Sequence, residues 1–228
     1  MNCSQSEENY LKAIFHLQLE SETVCTSAVA EKLRTKPASV TDMMKKLNAK
    51  KLLHYKPYHG FYLSAEGKKI ALNIIRRHRL WEYFLAEKLK FSWDEVHEVA
   101  EELEHIHNQK LIDKLDEFLG YPRFDPHGDP IPDSRGKICP QPEAPLTELP
   151  HHQPAQVRRV SNQSAEMLDL LHHKQIGIGT VLEVTQQFAF DHSLEIKAGD
   201  TLTTISEQLA KNIFVHHELQ NKHGRIAE

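Results

Sequence analysis

Residues 28–47, AVAEKLRTKPASVTDMMKKL, decide the fold of the first third of this 228-residue chain. The run SAVAEKLR at 27–34 has the composition of a short helix, Thr35 and Lys36 interrupt it, and Pro37 suits the first turn of a new helix. That second helix continues through ASVTDMMKKLNAKK. Two helices joined by a short break form the helix-turn-helix pattern. The alternative is a helical hairpin within an enzyme or a scaffold.

The residues that follow predict a two-stranded hairpin. LLHYKP at 52–57 and FYLS at 61–64 have strand-forming composition, and a turn centred on 58–60 separates them. A hairpin directly after a helix-turn-helix makes this segment a winged helix-turn-helix. Upstream, Ser4 and Glu7 fit a capping box that opens a first helix.

Charge is distributed unevenly along the chain. Residues 1–80 hold 14 Lys and Arg against 7 Asp and Glu, a net charge of +7, whereas the whole chain carries -4. A basic segment of this kind favours nucleic acid as a partner, because neutralised phosphates release counterions. No apolar run approaches the ~20 residues of a membrane span, and the N-terminus lacks the apolar centre of a signal peptide. We therefore expect a cytoplasmic protein with no membrane partner.

In the DNA-binding interpretation, the start of the second helix faces base edges and a second set of residues lies nearer the phosphates. The first set is Lys36, Ala38, Ser39, Thr41 and Asp42, and the second is Lys45, Lys46, Lys56, Tyr58 and His59. The Asp42 carboxylate can accept from cytosine N4 but would be repelled by phosphate. An ion pair of Asp42 with Lys45 or Lys46 within the chain is an equal alternative.

Histidines and glutamates further along have the spacing of a metal site. A long helix after Ser64 carries His78 and Glu82 one turn apart. A second helix, opened by a capping box at Ser92 and Glu95, places four more on one face at i, i+4, i+7 and i+8: His97, Glu101, Glu104 and His105. Beside that face runs an apolar stripe formed by Val96, Val99, Ala100, Leu103, Ile106 and Leu111.

Several functions are compatible with these residues. A charged helix surface would explain any single pair, since acid–base pairs at i, i+4 are common. Four such residues on one helix face beside an apolar stripe favour metal binding. Carboxylate and imidazole ligands suit Mn²⁺ or Fe²⁺. The three cysteines form no C-x-x-C pair, so ligands would be oxygen and nitrogen. The competing classes are a di-metal enzyme on a helical bundle and a DNA-binding protein whose metals are structural.

The last part of the chain changes composition. Nine of the 11 prolines lie between 122 and 154, which indicates a linker or an ordered extended loop. From about Ala155, alternating segments and a short helix at 164–173 predict a small β-barrel. The predicted fold class is therefore mainly α with a small β part. We expect four segments: a winged helix-turn-helix at 1–73, a helical domain at 74–140, a proline-rich linker at 141–154 and the β domain at 155–228.

These segments together resemble the metal-dependent transcriptional repressors of the diphtheria toxin repressor and manganese transport regulator family. The resemblance covers nearly the whole chain, through EENYLKAIFHL, the helix-turn-helix, RRHRLWEYFL, VHEVAEELEHI and DPHGDPIP. It implies a DNA-binding domain, a helical metal-binding and dimerisation domain, and an SH3-like C-terminal domain. It also implies a homodimer that represses transcription at a palindromic operator in double-stranded DNA, with the metal as corepressor.

The resemblance also implies two metal sites. One would use Asn9, at the position of an N-terminal ligand, with Glu101, Glu104 and His105. His78, Glu82 and His97 match further metal positions and form a second neighbourhood. Glu101 stands where iron-responsive members tend to have Cys, which favours Mn²⁺ over Fe²⁺. Lys12 replaces an additional Glu of the short manganese regulators, so their paired-metal arrangement does not simply carry over.

The loop at 125–127 carries the second site in this comparison. Longer manganese-responsive members use a Cys-Pro-His loop with an acidic residue of the SH3-like domain, and the loop here is Asp125-Pro126-His127. By residues alone His127 would more simply belong to a turn. The resemblance instead implies a metal held by Glu82, Asp125, His127 and Glu166, with Gln163 as the alternative to Glu166.

Overall fold

The computed structural model describes residues 3–56, 60–139, 141–161 and 163–216. Its contacts divide the chain into two compact units. The first unit comprises Met1–Trp81, Ala100–Arg123 and Ile131–Ile138, and the second comprises Glu82–Val99, Phe124–Pro130 and the chain from Cys139 onward. None of the helices in these described ranges combines the length and apolar character that a membrane span requires.

The first unit opens with helix α1, Gln5–Leu17. Ser4 caps it, because its Oγ accepts from the Glu7 amide while the Glu7 carboxylate accepts from the Ser4 amide, as the sequence predicts. One face of α1 enters the core of this unit through Leu11 and Ile14, both fully buried. This position leaves the opposite face of α1 available for polar contacts.

The predicted winged helix-turn-helix follows. Helix α2 spans Thr26–Lys32 and helix α3 spans Pro37–Ala49, with Pro37 in its first turn. Val40, Met44 and Leu47 anchor α3 in the same core as α1. Strands β1 (Leu53–Lys56) and β2 (Gly60–Leu63) pair antiparallel and form the wing. The wing tip, and with it the predicted DNA contacts Tyr58 and His59, lies outside the described residues.

Three further helices complete the helical part of the chain. Helix α4 spans Ala65–Glu87 and begins after Ser64, whose Oγ accepts from the Gly67 amide. Helix α5 spans Val96–Leu103 and helix α6 spans Gln109–Phe118. The expected continuous helix through 111 is therefore wrong. Helix α5 ends at Leu103. A new helix, α6, then begins after Asn108, whose side-chain oxygen accepts from the Leu111 amide.

The second unit contains a six-stranded sheet in the order β3-β8-β4-β5-β6-β7. Its strands are β3 (Ala144–Pro145), β4 (Pro154–Val160), β5 (Val181–Gln187), β6 (Leu194–Ala198), β7 (Thr201–Ile205) and β8 (Ile213–His216). Helices α7 (Ala165–His173) and α8 (Glu207–Lys211) accompany it. Among the described residues, β3 and β7 are edge strands that do not pair with each other, so the sheet is open instead of forming the expected closed barrel.

The proline-rich segment 141–154 is folded into this unit and is not a linker. It contains β3 and a 3₁₀ turn at Leu146–Glu148. Leu146 and Leu149 are buried in the core of the sheet. The prolines mask this in the sequence because they remove the periodicity that would mark a packed segment. The outer limits of the four predicted segments stay predictions.

Candidate metal centres and DNA-binding face

The first candidate centre lies where the turn after α5 meets α1, within the first unit. The buried Glu104 carboxylate receives Lys12 Nζ from α1, at 2.7 Å from each of its oxygens. His78 Nδ1 of α4 lies 2.7 Å from Glu104 Oε2. His105 Nδ1 lies 2.7 Å from Glu8 Oε2 on α1. Because α5 ends at Leu103, Glu104 and His105 extend from a turn and not from the predicted helical face.

Arginine and lysine side chains compensate the charge of this centre. Arg77 donates to the Glu104 main-chain oxygen through Nε and lies 3.2 Å from Glu8 through Nη2. Burial acts to raise the pKa of the Glu104 carboxyl, but the hydrogen bond from His78 and the charge of Lys12 together bring that pKa below its ordinary value. Glu104 is therefore a carboxylate at neutral pH, as a metal ligand must be.

Two observations in this centre are compatible with a divalent ion. Asn9 Oδ1 on α1 is buried and has no hydrogen-bond partner among the described residues. Glu104 Oε1 and His105 Nε2 lie 3.7 Å apart. Two atoms that each bond a metal at about 2.1 Å, at an angle near 120°, are about that far apart. Oxygen and imidazole nitrogen together suit Mn²⁺ or Fe²⁺.

Two residues of this centre add to the sequence analysis. His78 lies beside Glu104, and its predicted grouping with Glu82 and His97 stays a prediction. Glu8 was missed, yet it is buried and contacts both His105 and Arg77. The sequence held one indication of its role: Glu8 lies one turn before Lys12, on the same face of α1.

The second candidate centre lies within the second unit. Glu82, Asp125 and His127 are all buried and offer one ligand atom each, with these atoms within 4.8 Å of one another. His97 Nδ1 lies 3.2 Å from Glu82 Oε1. The structure thus brings together three of the four residues that the resemblance assigned to this site.

The tautomer of His127 follows from its neighbours. Its Nε2 lies 2.7 Å from the Trp93 carbonyl oxygen, which can only accept, so Nε2 carries the proton. In the neutral ring, the Nδ1 atom then has a lone pair. It is buried, has no hydrogen-bond partner in the described chain, and lies 3.9 Å from Glu82 Oε1. An unpaired buried nitrogen beside a buried carboxylate is what a bound cation would satisfy.

The loop that carries this centre is held from two sides. Asp125 Oδ1 accepts from the amides of His127 and Asp129, each at 2.9 Å. The His127 carbonyl accepts from the Val160 amide of β4 at 3.0 Å. Gly128 has φ +87°, and its Cα faces the main chain of Arg158 so closely that a Cβ would overlap the Arg158 carbonyl. The loop position therefore depends on glycine at 128.

Glu166 does not join this centre. It is exposed in the first turn of α7 and is absent from the group of acids and histidines that the described residues form. Gln163, the alternative, donates to Asp129 Oδ2 at 2.8 Å and so contacts the loop. The geometry gives the Glu166 prediction no support, because the Glu166 side chain is exposed.

The outer face of α3 presents the residues predicted to contact DNA. Val40, Met44 and Leu47 face the core, while the intervening positions are exposed: Ala38, Ser39, Thr41, Asp42, Lys45 and Lys46, preceded by the exposed Lys36. Lys45 Nζ lies 3.5 Å from Asp42 Oδ1, so the ion pair left open in the sequence analysis is present in the free protein. Both side chains remain largely exposed and can exchange partners.

Lys46 also has a partner within the chain. Its Nζ lies 3.3 Å from Glu7, a buried carboxylate on α1 that Lys50 contacts at 2.6 Å. Burial would raise the pKa of Glu7, but the hydrogen bond from Lys50, the Ser4 amide and Lys46 lower it to about 2. These ion pairs attach α3 directly to α1. Helices α1 and α3 are thus connected by ion pairs as well as by their shared core.

The fold and the site together define a class: a winged-helix DNA-binding regulator whose first helix and adjoining turn carry metal-ligand chemistry. The comparisons agree with this class. Residues 2–61 match the iron-dependent repressor N-terminal DNA-binding domain, residues 64–133 match the iron-dependent repressor metal-binding and dimerisation domain, and residues 144–217 match the FeoA domain. The chain belongs to the iron-dependent repressor family, whose members are transcriptional repressors and not enzymes.

Individual relatives support this assignment. The HTH-type transcriptional regulator MntR of Oceanobacillus iheyensis is 34% identical over 116 residues, which are 51% of this chain and 78% of the relative. The iron-dependent repressor IdeR of Mycobacterium leprae is 27% identical over 93% of each chain. A solved manganese-dependent transcriptional repressor in complex with manganese is 29% identical, with a TM-score of 0.85 over 92% of this chain and 99% of that one. The chain is thus a metal-responsive, DNA-binding transcriptional repressor.

Proposed function

We propose that this protein is a repressor with Mn²⁺ as corepressor, bound by two centres in each chain. The first centre would use Asn9, Glu101, Glu104 and His105, with Glu8 and His78 as supporting contacts. The second would use Glu82, Asp125 and His127, with His97 beside them. A bound ion supplies positive charge to carboxylates that are otherwise neutralised by protein cations. Control of metal homeostasis follows as the biological role.

One observation carries the proposal: the first centre includes α1, and α1 shares its core with the helix-turn-helix. Glu8 and Asn9 lie on the polar face of α1, while Leu11 and Ile14 on the other face pack with α3. Ligands from α1 and from the turn after α5 can be satisfied together only when α1 lies close to that turn. Metal binding therefore selects one position of α1 and of α3 attached to it.

Selection of one α3 position affects DNA affinity in a dimer. Two recognition helices at a fixed spacing match half-sites one or more helical turns apart, so we expect a homodimer on a palindromic operator. The coupling is reciprocal, and operator DNA will tighten Mn²⁺ binding by the factor by which Mn²⁺ tightens DNA binding. A protein with this role acts in the cytoplasm, where the DNA is.

The donor chemistry favours Mn²⁺ over Fe²⁺. Glu101 supplies a hard carboxylate oxygen to the first centre, and among the described residues no cysteine takes part in either centre. A member of the same family that responds to Fe²⁺ is the second candidate. Zn²⁺ would bind an oxygen and nitrogen site more tightly than either, so physiological selectivity depends on geometry and availability.

The test is a DNA-binding titration with three metal conditions. Duplexes selected by the protein from a random pool in Mn²⁺ are titrated by fluorescence anisotropy in Mn²⁺, in anaerobic Fe²⁺ and in chelator. We expect Mn²⁺ to tighten binding at least tenfold over chelator. Equal affinity in Mn²⁺ and chelator contradicts the corepressor role, and a larger response to Fe²⁺ than to Mn²⁺ favours the second candidate.

A matched pair of variants assigns the response to the first centre. Glu104→Gln removes a buried carboxylate of the centre, whereas Glu102→Gln makes the same change at an exposed position two residues earlier. We expect Glu104→Gln to abolish the Mn²⁺ response and Glu102→Gln to retain it. Circular dichroism in chelator separates regulation from folding, because a purely structural metal would leave the metal-free protein unfolded.

A further inference from the structure

Lys12 is an unusual neighbour for a metal centre. Its Nζ lies 2.6 Å from Glu101 Oε1 and 2.7 Å from each oxygen of Glu104. A lysine ammonium has three donors, and three carboxylate oxygens surround this one. The lysine side chain is only 13% exposed. The ammonium is therefore held among the carboxylates and does not extend into solvent.

The charges around the centre show what this lysine does. Glu8, Glu101 and Glu104 bring three negative charges, and Lys12 and Arg77 bring two positive charges. With Lys12 in place, one divalent ion more than balances the remaining charge. Without Lys12, the charge of one divalent ion would equal the net negative charge that Arg77 leaves uncompensated. A fixed cation within a few ångströms of a second cation also repels it.

We propose that Lys12 determines the metal affinity of the first centre: its tethered ammonium neutralises Glu101 and Glu104 in the metal-free protein and thereby restricts the centre to one divalent ion, bound weakly. This inference rests on the proposed function and concerns the metal concentration at which the repressor responds. The repressor then responds only at a higher metal concentration.

The experiment measures Mn²⁺ binding without DNA. Free Mn²⁺ is followed by electron paramagnetic resonance during titration of the full chain. The proteins are the wild type, Lys12→Met, Lys12→Arg, Lys12→Glu and the control Lys110→Met, which changes an exposed lysine on α6. We expect Lys12→Met to bind the first-centre ion at least tenfold more tightly, and Lys12→Arg and Lys110→Met to remain within about threefold of the wild type.

The number of bound ions gives an independent result. Lys12→Glu adds a ligand where the cation was, so we expect it to bind one ion per chain more than the wild type. Unchanged or weaker Mn²⁺ affinity in Lys12→Met overturns the inference, as does an unchanged ion count in Lys12→Glu.

Thermal denaturation in chelator supplies a readout that does not depend on loading. The Lys12→Met protein should melt below the wild type, because buried Glu104 loses its cation. Equal melting of Lys12→Met and Lys110→Met also overturns the inference. Failure of the proposed function gives a separate result. In that case the wild type and Glu104→Gln would bind Mn²⁺ equally, or neither would bind it.

Discussion

Replacement of Gly128 by alanine should disable the second centre without touching any of its ligands. Gly128 has φ +87°, and a Cβ there would overlap the Arg158 carbonyl oxygen and lie 2.8 Å from the carbonyl carbon. The Cβ would lie 1.8 Å from that oxygen, so the two main-chain segments must move apart by about 1.6 Å to reach van der Waals contact. That movement pulls on the His127 carbonyl, which the Val160 amide holds at 3.0 Å.

The magnitude follows from these contacts. A non-glycine residue in the left-handed region costs about 1 kcal/mol, loss of the His127–Val160 hydrogen bond costs about 1 kcal/mol, and strained packing around the loop adds about 1 kcal/mol. We therefore expect Gly128→Ala to lower the free energy of unfolding by about 3 kcal/mol. The matched control is Gly179→Ala in the same unit. Gly179 has φ +88°, but a Cβ added there would make only an ordinary contact, 3.8 Å from Gln156 Nε2. Gly179→Ala should cost about 1 kcal/mol.

The assay is urea denaturation followed by tryptophan fluorescence, which is informative because Trp93 stacks on His127 with ring centroids 5.8 Å apart. Mn²⁺ titration in native buffer accompanies it, and Gly128→Ala should bind one ion fewer per chain. Equal destabilisation by Gly128→Ala and Gly179→Ala would refute the steric argument. An unchanged ion count in Gly128→Ala would show that the second centre does not need this loop geometry.

Three further predictions concern separate parts of the molecule. The pKa of Glu7 is lowered to about 2 from an ordinary value of 4.5, so its ion pairs stabilise the fold above pH 4.5 and are lost as the pH falls towards 2; Glu7→Gln should flatten the fall in thermal stability across that interval. Lys45→Ala should weaken binding to all DNA sequences and reduce the slope of log affinity against log salt by about 1, and an unchanged slope would argue against a phosphate contact. Asp125→Asn keeps an oxygen for the amides of His127 and Asp129 but loses the charge, so Mn²⁺ affinity at the second centre should fall at least tenfold while metal-free stability changes by less than about 1 kcal/mol.

The elements that local signals define could be predicted from the sequence. Ser4 with Glu7, Pro37, and the alternating strand segments each act within a few residues, and the corresponding helices and strands are present. The end of α5 at Leu103 could not be predicted in this way. No glycine or proline marks it, and the helix stops where Glu104 and His105 make tertiary contacts.

The site was harder to predict for the same physical reason. Glu8 and His105 are 97 residues apart in sequence, and only the packed fold brings them together. The contact of His78 with Glu104 was not predicted, because helical spacing relates His78 to Glu82 but gives no information on Glu104. The resemblance supplied the pairing of Glu82 with Asp125 and His127, which spacing along the chain could not have provided.

The proton on His127 Nε2 is held by the main-chain oxygen of Trp93, not by a side chain. A substitution at 93 that preserved the backbone would therefore leave the tautomer of His127 unchanged. Sequence comparison across relatives has no residue to track for this contact, since any amino acid supplies a carbonyl. The orientation of the His127 ring thus depends on the course of the main chain at Trp93. A search for a conserved side chain beside His127 would not find this contact.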